Sequence, residues 1–227
     1  MTQRGENNGS GAIRLVCFDW GGVLLRHHRA WKDGCAAAGL PVRSGSDTPQ
    51  AAVRRRAASS EFQVGRIAEG EFFERLRAAV DGTYTIEELR RIHDAWLIDE
   101  YPGVEDVVRR LASTPGVQTA LLSNTNEAHW RRHLPTHGRA ADFPTPGLLS
   151  HRHASHLLGL AKPGQEIYRA FERTVGYRGP EILFFDDLAE NVESARAVGW
   201  RAEVIDHEGE PARQIAKILC SYGVWTV

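Results

Sequence analysis

Cysteine is scarce in this sequence: three residues, Cys17, Cys35 and Cys220, spread over 227 positions with no CxxC pair. That excludes a disulfide-stapled scaffold and a cysteine-ligated zinc centre, and it fits a reducing compartment. Cys17 stands inside an apolar run, where a thiol acts as a small hydrophobe. Long apolar runs are missing too, since none approaches the roughly 20 residues that span a bilayer. Charge of one sign is also lacking. Twenty-eight Lys and Arg against 29 Asp and Glu leave a formal net charge of -1, which offers no bulk attraction to nucleic acid or to an acidic membrane. The local run Arg54-Arg55-Arg56 lies in an alanine-rich helical context and reads as a solvated helix face. The opening residues, MTQRGENNGSG, are polar and glycine-rich without a hydrophobic segment. Residues 1–11 are therefore expected to be a flexible tail and not a signal peptide, and the protein is expected to be cytoplasmic.

What remains has an ordinary soluble balance, 42% hydrophobic and 25% charged, and enough length for one large domain carrying an insertion. IRLVCFD (13–19) is a short β-branched and aromatic run ending in a glycine turn, which predicts a buried parallel strand. The period then changes. AWKDGCAAAG, TPQAAVRRRAASSEF, IAEGEFFERLRAAV and TIEELRRIHDAWLI all carry helical spacing, and the last opens with a capping box, Thr85 with Glu88. Residues 27–101 are expected to be a helical block without a strand.

Beyond YPG (101–103) the chain alternates. Strands are predicted at VQTALLS (117–123), EILFFDD (181–187) and WRAEVI (200–205), with helices between and after them. Such alternation predicts an α/β fold, a doubly wound parallel sheet of Rossmann-like type, with the helical block inserted directly after the first strand. The core domain is then 12–26 with 102–227, and the inserted domain 27–101.

In a doubly wound sheet the ligand crevice lies outside the carboxyl ends of the strands. Three predicted strand ends carry polar side chains: Asp19, Ser123 with Asn124, and Asp186 with Asp187. An aspartate at such a place can attack a phosphoryl group and form an aspartyl-phosphate. Several carboxylates together repel one another unless a cation lies among them, and Mg²⁺, an oxygen-seeking ion that bridges to phosphate, suits that role. Lys162, just before a predicted helix, is placed to offset negative charge. Ser123 and the backbone N–H groups after it are placed to hold phosphate oxygens.

These motifs resemble the haloacid dehalogenase-like hydrolase superfamily, in particular its phosphatase-rich branch with a helical cap inserted after the first strand. FDWGGVL is similar to that family's first motif, LLSNTN to its second, AKPGQEIY to its third and LFFDDLAENV to its fourth, and GRIAEGEFF resembles a phrase of the branch's cap. The resemblance covers Ile13 to about Val204. It implies that Asp19 is the nucleophile and a metal ligand, that Asp187 binds Mg²⁺ directly, and that Asp186 assists directly or through water. It makes Ser123 and Asn124 phosphate-binding groups, Lys162 the charge-stabilising residue, and Asn191 a supporting one.

One position departs from the pattern. Family phosphatases typically carry a second aspartate, a general acid and base, two residues after the nucleophile, and here that residue is Gly21. The family uses only its backbone carbonyl as a metal ligand, so the resemblance keeps Gly21 in the metal set. General acid-base help is commonly worth ~10²–10⁴-fold, so a proton from water, a good leaving group, or His27 and His28 just downstream must serve instead.

The resemblance implies a Mg²⁺-dependent phosphatase acting on a small phosphorylated metabolite, with neither nucleic acid nor membrane as partner. Two alternatives stay open: a haloacid dehalogenase, or a low-turnover module that binds phosphorylated ligands. The histidines of SHRHASH, His151, His153 and His156, match no common closed zinc site and are expected to form a solvated loop. Trp31 and Trp96 are expected to be core residues of the cap.

Overall fold

The computed structural model describes residues 11–136 and 138–226, so residues 1–10 of the expected tail lie outside the described part. The first strand, β1 (Leu15–Phe18), is buried at every position because it lies in the middle of the sheet. Its side chains alternate between two cores. Val16 and Phe18 join Leu121, Leu183 and Phe185 on one face, while Leu15 and Cys17 join Ala120, Leu122, Ile182 and Phe184 on the other. This two-residue period on a strand that is apolar throughout produces a sheet covered on both sides.

After β1 the chain forms β2 (Leu25–His27), then four helices: α1 (Trp31–Ala37), α2 (Pro49–Gln63), α3 (Glu69–Ala79) and α4 (Ile86–Asp94). A short strand, β3 (Leu97–Glu100), returns the chain to the core. The α/β part follows as α5 (Val104–Ala112), β4 (Gln118–Ser123), α6 (Glu127–Trp130), β5 (His151–Ala154), α7 (Ser155–Leu158) and α8 (Gln165–Val175). It closes with β6 (Ile182–Asp186), α9 (Ala189–Ala197), β7 (Arg201–Val204) and α10 (Pro211–Ser221). The five-stranded sheet has the order β5-β4-β1-β6-β7, and every pairing in it is parallel. Helices α5 and α10 cover one face through Val104, Val108, Leu111, Ile215 and Leu219. Helices α8 and α9 cover the other through Ile167, Phe171, Val192 and Ala195.

The helices between β2 and β3 share their own apolar cluster, which includes Trp31, Cys35, Phe62, Phe72, Phe73, Leu76, Leu89 and Ile92. The Thr85–Glu88 capping box opens α4, with both reciprocal bonds present. Two expectations need correction. Residues 27–101 are not free of strands, because Leu97–Glu100 pairs antiparallel with Leu25–His27 where the chain enters and leaves the helical block. The helical spacing of TIEELRRIHDAWLI stops at Asp94, and Leu97 and Ile98 then serve the ribbon. The histidine segment is not a loop either. His151–Ala154 is the edge strand β5, and polar side chains on such an edge discourage further pairing, which hides the strand from a hydrophobic-pattern reading.

Candidate active site

Because β1 is hydrogen-bonded to β4 on one side and β6 on the other, their carboxyl ends open side by side. Asp19 follows β1, Ser123 ends β4 and Asp186 ends β6. Lys162, contributed by the segment before α8, reaches between them: its Nζ lies 3.0 Å from Asp19 Oδ1 and 2.7 Å from Asp186 Oδ2. All three residues are buried, at 7% exposure for Asp19, 4% for Lys162 and none for Asp186. The Trp20 N–H also donates to Asp19 Oδ1 at 2.7 Å.

Asp186 is spoken for on every side. Its Oδ1 accepts from the Leu188 N–H (2.9 Å) and Asn191 Nδ2 (3.0 Å), and its Oδ2 accepts from Lys162 Nζ and again from Asn191 Nδ2 (3.0 Å). A carboxylate offers about four acceptor positions, and in this arrangement those of Asp186 are met by Lys162, Leu188 and Asn191. Asn191, in turn, acts through Asp186 as the supporting residue expected. Asn124 is likewise committed. Its Nδ2 donates to the Lys162 carbonyl (2.8 Å) and its Oδ1 accepts the Lys162 N–H (2.9 Å), so this side chain fixes the lysine segment instead of pointing to a phosphate.

The electrostatics explain the need for a cation. Burial raises the Asp19 carboxyl to about 7. Lys162 and the Ser123 hydroxyl pull it down, while Asp186 and Asp187 push it up. Burial lowers Lys162, but Asp186 and Asp19 outweigh that and hold its ammonium well above the usual range. Among the described residues, Asp19, Asp186 and Asp187 are the one group of three or more His, Cys, Asp or Glu side chains whose ligand atoms come within 4.8 Å of one another. Three carboxylates around one lysine leave net negative charge in a site shielded from water, and oxygen donors of this kind fit Mg²⁺. Asp19, Asp186 and Asp187 are the side chains whose oxygens could hold such an ion, with the Gly21 carbonyl the backbone ligand expected beside them. Arg29, which sequence reasoning missed, bonds Asp187 Oδ2 through Nη2 at 2.5 Å; nothing in its local pattern marked it.

The two glycines after Asp19 have separate reasons. Gly22 takes φ +81°, and a Cβ there would lie 2.4 Å from Asp187 Cγ, so both backbone and space demand glycine. A Cβ on Gly21 would lie 2.9 Å from His27 Cδ2 and 3.1 Å from its Nε2. The His27 ring thus fills the volume that a side chain at position 21 would enter. Its Nδ1 lies 2.8 Å from the His28 carbonyl oxygen, and burial lowers its pKa. His28 instead sets its ring edge-on to Trp96, with centroids 6.5 Å apart.

From the acidic end a cavity of about 540 Å³ runs between core and cap. Trp31 and Trp96 both pack with the cap core, as expected, and both also line this cavity. One seam closes it. The His93 and His129 rings stack at 3.8 Å, His129 Nε2 donates to the His93 carbonyl at 2.8 Å, and Asn126 Nδ2 lies 3.3 Å from His93 Nε2. Asn126 also caps α6 by accepting the His129 N–H, a spacing visible within NEAH but not recognised from sequence. His151, His153 and His156 join no metal group among the described residues. His153 packs edge-on against Phe171, and His156 Nδ1 lies 3.0 Å from the Thr125 carbonyl oxygen. The arginine run is only partly a solvated face. Arg54 and Arg56 are exposed as expected, Arg54 pairing with Asp81, whereas Arg55 is half-buried; Arg55 and Arg56 also line the cavity.

A family model for haloacid dehalogenase-like hydrolases matches residues 13–199. Phosphatase MT3486 of Mycobacterium tuberculosis (strain CDC 1551 / Oshkosh) is 30% identical over 125 residues, which are 55% of this chain and 53% of that protein. The chain thus spans about half the length of this curated relative. Among solved structures, a HAD family enzyme, bt-2542, from Bacteroides thetaiotaomicron, in complex with magnesium and inorganic phosphate, superposes with TM-score 0.73 at 20% identity, over 89% of this chain and 99% of that one. L-2-haloacid dehalogenase from Xanthobacter autotrophicus, with chloropropionic acid covalently bound, superposes with TM-score 0.60 at 19% identity, over 94% and 85%. At these identities the two structures speak for the fold, while the family match, which extends from just before β1 through all four motifs, speaks for descent: the chain belongs to the haloacid dehalogenase-like hydrolases.

Proposed function

We propose that this hydrolase cleaves small phosphomonoesters through an aspartyl-phosphate on Asp19. The observation that carries the reading is the buried Asp19–Lys162–Asp186 chain with Asp187 beside it. The Asp19 carboxylate attacks phosphorus, the ester oxygen leaves with its bonding pair, and water then attacks the phosphoryl group, restoring the carboxylate and releasing phosphate. Lys162 orients Asp19 and offsets the charge on the transferring group. Ser123 would face its oxygens, while the Thr125 N–H beyond β4 donates to Ser155 Oγ at 3.0 Å. Mg²⁺, held by Asp19, Asp186, Asp187 and the Gly21 carbonyl, would neutralise developing charge when bound.

With glycine at 21 and no carboxyl there to protonate the leaving oxygen, rates should fall steeply as the leaving group becomes more basic, so aryl phosphates outrun alkyl phosphates. The similarity to a protein called a phosphatase, and to a fold seen with magnesium and phosphate, supports this reading. Three free cysteines, and the absence among described residues of a helix long and apolar enough to cross a membrane, agree with the cytoplasmic setting proposed here.

A second reading has one observation in its favour: Gly21 removes the acid that a dehalogenase does not need. The metal-suited carboxylate group favours the phosphatase, since displacing halide from carbon requires no such cluster. A phosphomonoester panel with Mg²⁺ and with EDTA decides between them. Multiple turnovers that EDTA abolishes support the phosphatase; halide release from 2-chloropropionate without added metal, and no phosphate release, would overturn it.

A further inference from the structure

The far end of the cavity differs in kind from the end at Asp19. Its walls are mostly apolar and aromatic, formed by Trp31, Phe62, Phe72, Leu76, Ile92 and Trp96. A volume near 540 Å³ lies within the ~300–1,000 Å³ typical of sites that enclose a substantial organic ligand, well beyond what a phosphate and a few carbons need. One face of α2 lines this end, since Ala52, Arg55, Arg56, Ser59 and Gln63 follow helical spacing.

The two arginines on that face are not equivalent. Arg55 is consumed by the fold: Nη1 donates to the Ser46 carbonyl, Nη2 lies 3.2 Å from Asp47 Oδ1, and the guanidinium covers the Trp31 ring at 4.4 Å. Arg56 makes no side-chain hydrogen bond or ion pair among the described residues; it is exposed and lines the cavity from its solvent side. The acidic groups of the lining, Asp19 and Asp187, both belong to the opposite end, where Lys162 and Arg29 answer them. The cap end therefore offers a free planar cation above an aromatic chamber, with no carboxylate of its own.

We propose that the leaving group is an aryl or similarly flat apolar body bearing a second anion, a carboxylate or equivalent, at the end remote from phosphorus, and that Arg56 reads that anion. The assignment rests on the phosphatase reading and names its substrate class. It agrees with Gly21, since a phenolic oxygen leaves without the missing proton donor more readily than an alkoxide. A guanidinium pairs with a carboxylate through two parallel N–H donors, a geometry lysine reproduces only in part.

The test uses two neutral-versus-charged isosteres: 3-(4-phosphonooxyphenyl)propanoate and its propanamide. Wild-type kcat/KM should favour the carboxylate by about 10-fold, the scale of one partly exposed charge-assisted hydrogen bond. Arg56→Gln should bring the ratio to about one and Arg56→Lys should retain part of it, while Arg54→Gln keeps the wild-type ratio. Equal wild-type rates on both compounds, or a preference surviving in Arg56→Gln, would overturn the assignment. If neither compound is hydrolysed while another phosphomonoester is, the proposed substrate class fails; if no phosphomonoester is hydrolysed, the phosphatase reading fails by itself. Quenching of tryptophan fluorescence on the Asp19→Asn variant then reports binding: tighter binding of the carboxylate that Arg56→Gln abolishes upholds the role of Arg56, and equal binding of the two compounds refutes it.

Discussion

The two ends of the cavity are built on opposite plans. At the sheet end nearly every polar atom answers another: Asp186 accepts four bonds from three donors, Lys162 meets two carboxylates, and Asn124 both polar atoms of the Lys162 backbone. At the cap end aromatic rings dominate and Arg56 is left unanswered among the described residues. Rigid, satisfied networks hold reacting groups in one geometry, whereas apolar walls with an unpaired cation select what enters. The contrast therefore separates a fixed chemical end from a selective one. It predicts that substitutions at the first end reduce kcat while those at the second shift KM.

The contrast breaks most severely at Lys162. Replacing it by Met should lower kcat by roughly 10²–10³-fold or more, as loss of a preorganised charge-stabilising group does. Asp186→Ala should cost a similar amount through the same lysine, and the double variant little more than either alone; additive losses would show that Asp186 acts on its own. Gly22→Ala comes next. A left-handed backbone costs a non-glycine residue about 1–3 kcal/mol, and the added methyl meets Asp187 besides. Melting temperature and Mg²⁺ affinity should fall together.

Gly21→Asp restores the family's usual residue yet is expected to destabilise by about 1–3 kcal/mol, because its Cβ enters the His27 ring. His27→Ala in the same chain should recover most of that loss, and denaturant unfolding of the four-member cycle measures the coupling. A pH series sharpens the picture further. The folded-state pKa of Asp19 is raised from 3.8 to about 7, so its contribution to stability is full below the unfolded value and is lost as pH rises to about 7. Metal-free wild type should lose melting temperature relative to Asp19→Asn across that window, and added Mg²⁺ should narrow the gap. The smallest effect belongs to the cap end, where Ser59→Ala should move KM by less than about tenfold and kcat hardly at all.

Much of the chemical end was legible in the sequence because strands run apolar up to a polar residue and then turn. That pattern marks Asp19, Ser123 and Asp186 without reference to distant residues. The helical cap was visible through its period, and the Thr85–Glu88 box through its spacing. What stayed hidden depends on partners far along the chain. The Asn124 side chain is 38 residues from the backbone it holds, and Arg29 is 158 from Asp187, so neither role has a local signature. Strand β3 escaped because it continues a helical phrase, and β5 because an edge strand carries polar side chains. The filled space at Gly21 was invisible for the same reason: a glycine shows that a side chain is missing, and only the fold shows that the His27 ring stands in its place.

The central claim, that Asp19 carries the phosphoryl group, is tested most directly by acid-quenching the enzyme during turnover of an aryl phosphate with Mg²⁺ and mapping the modified peptide by mass spectrometry. The expected result is one phosphoryl group on Asp19, absent with EDTA and absent in Asp19→Asn, which also releases no phosphate. Steady turnover by the Asp19→Asn variant at the wild-type rate, with no phosphoryl group on the Asp19 peptide of the wild type, would contradict it.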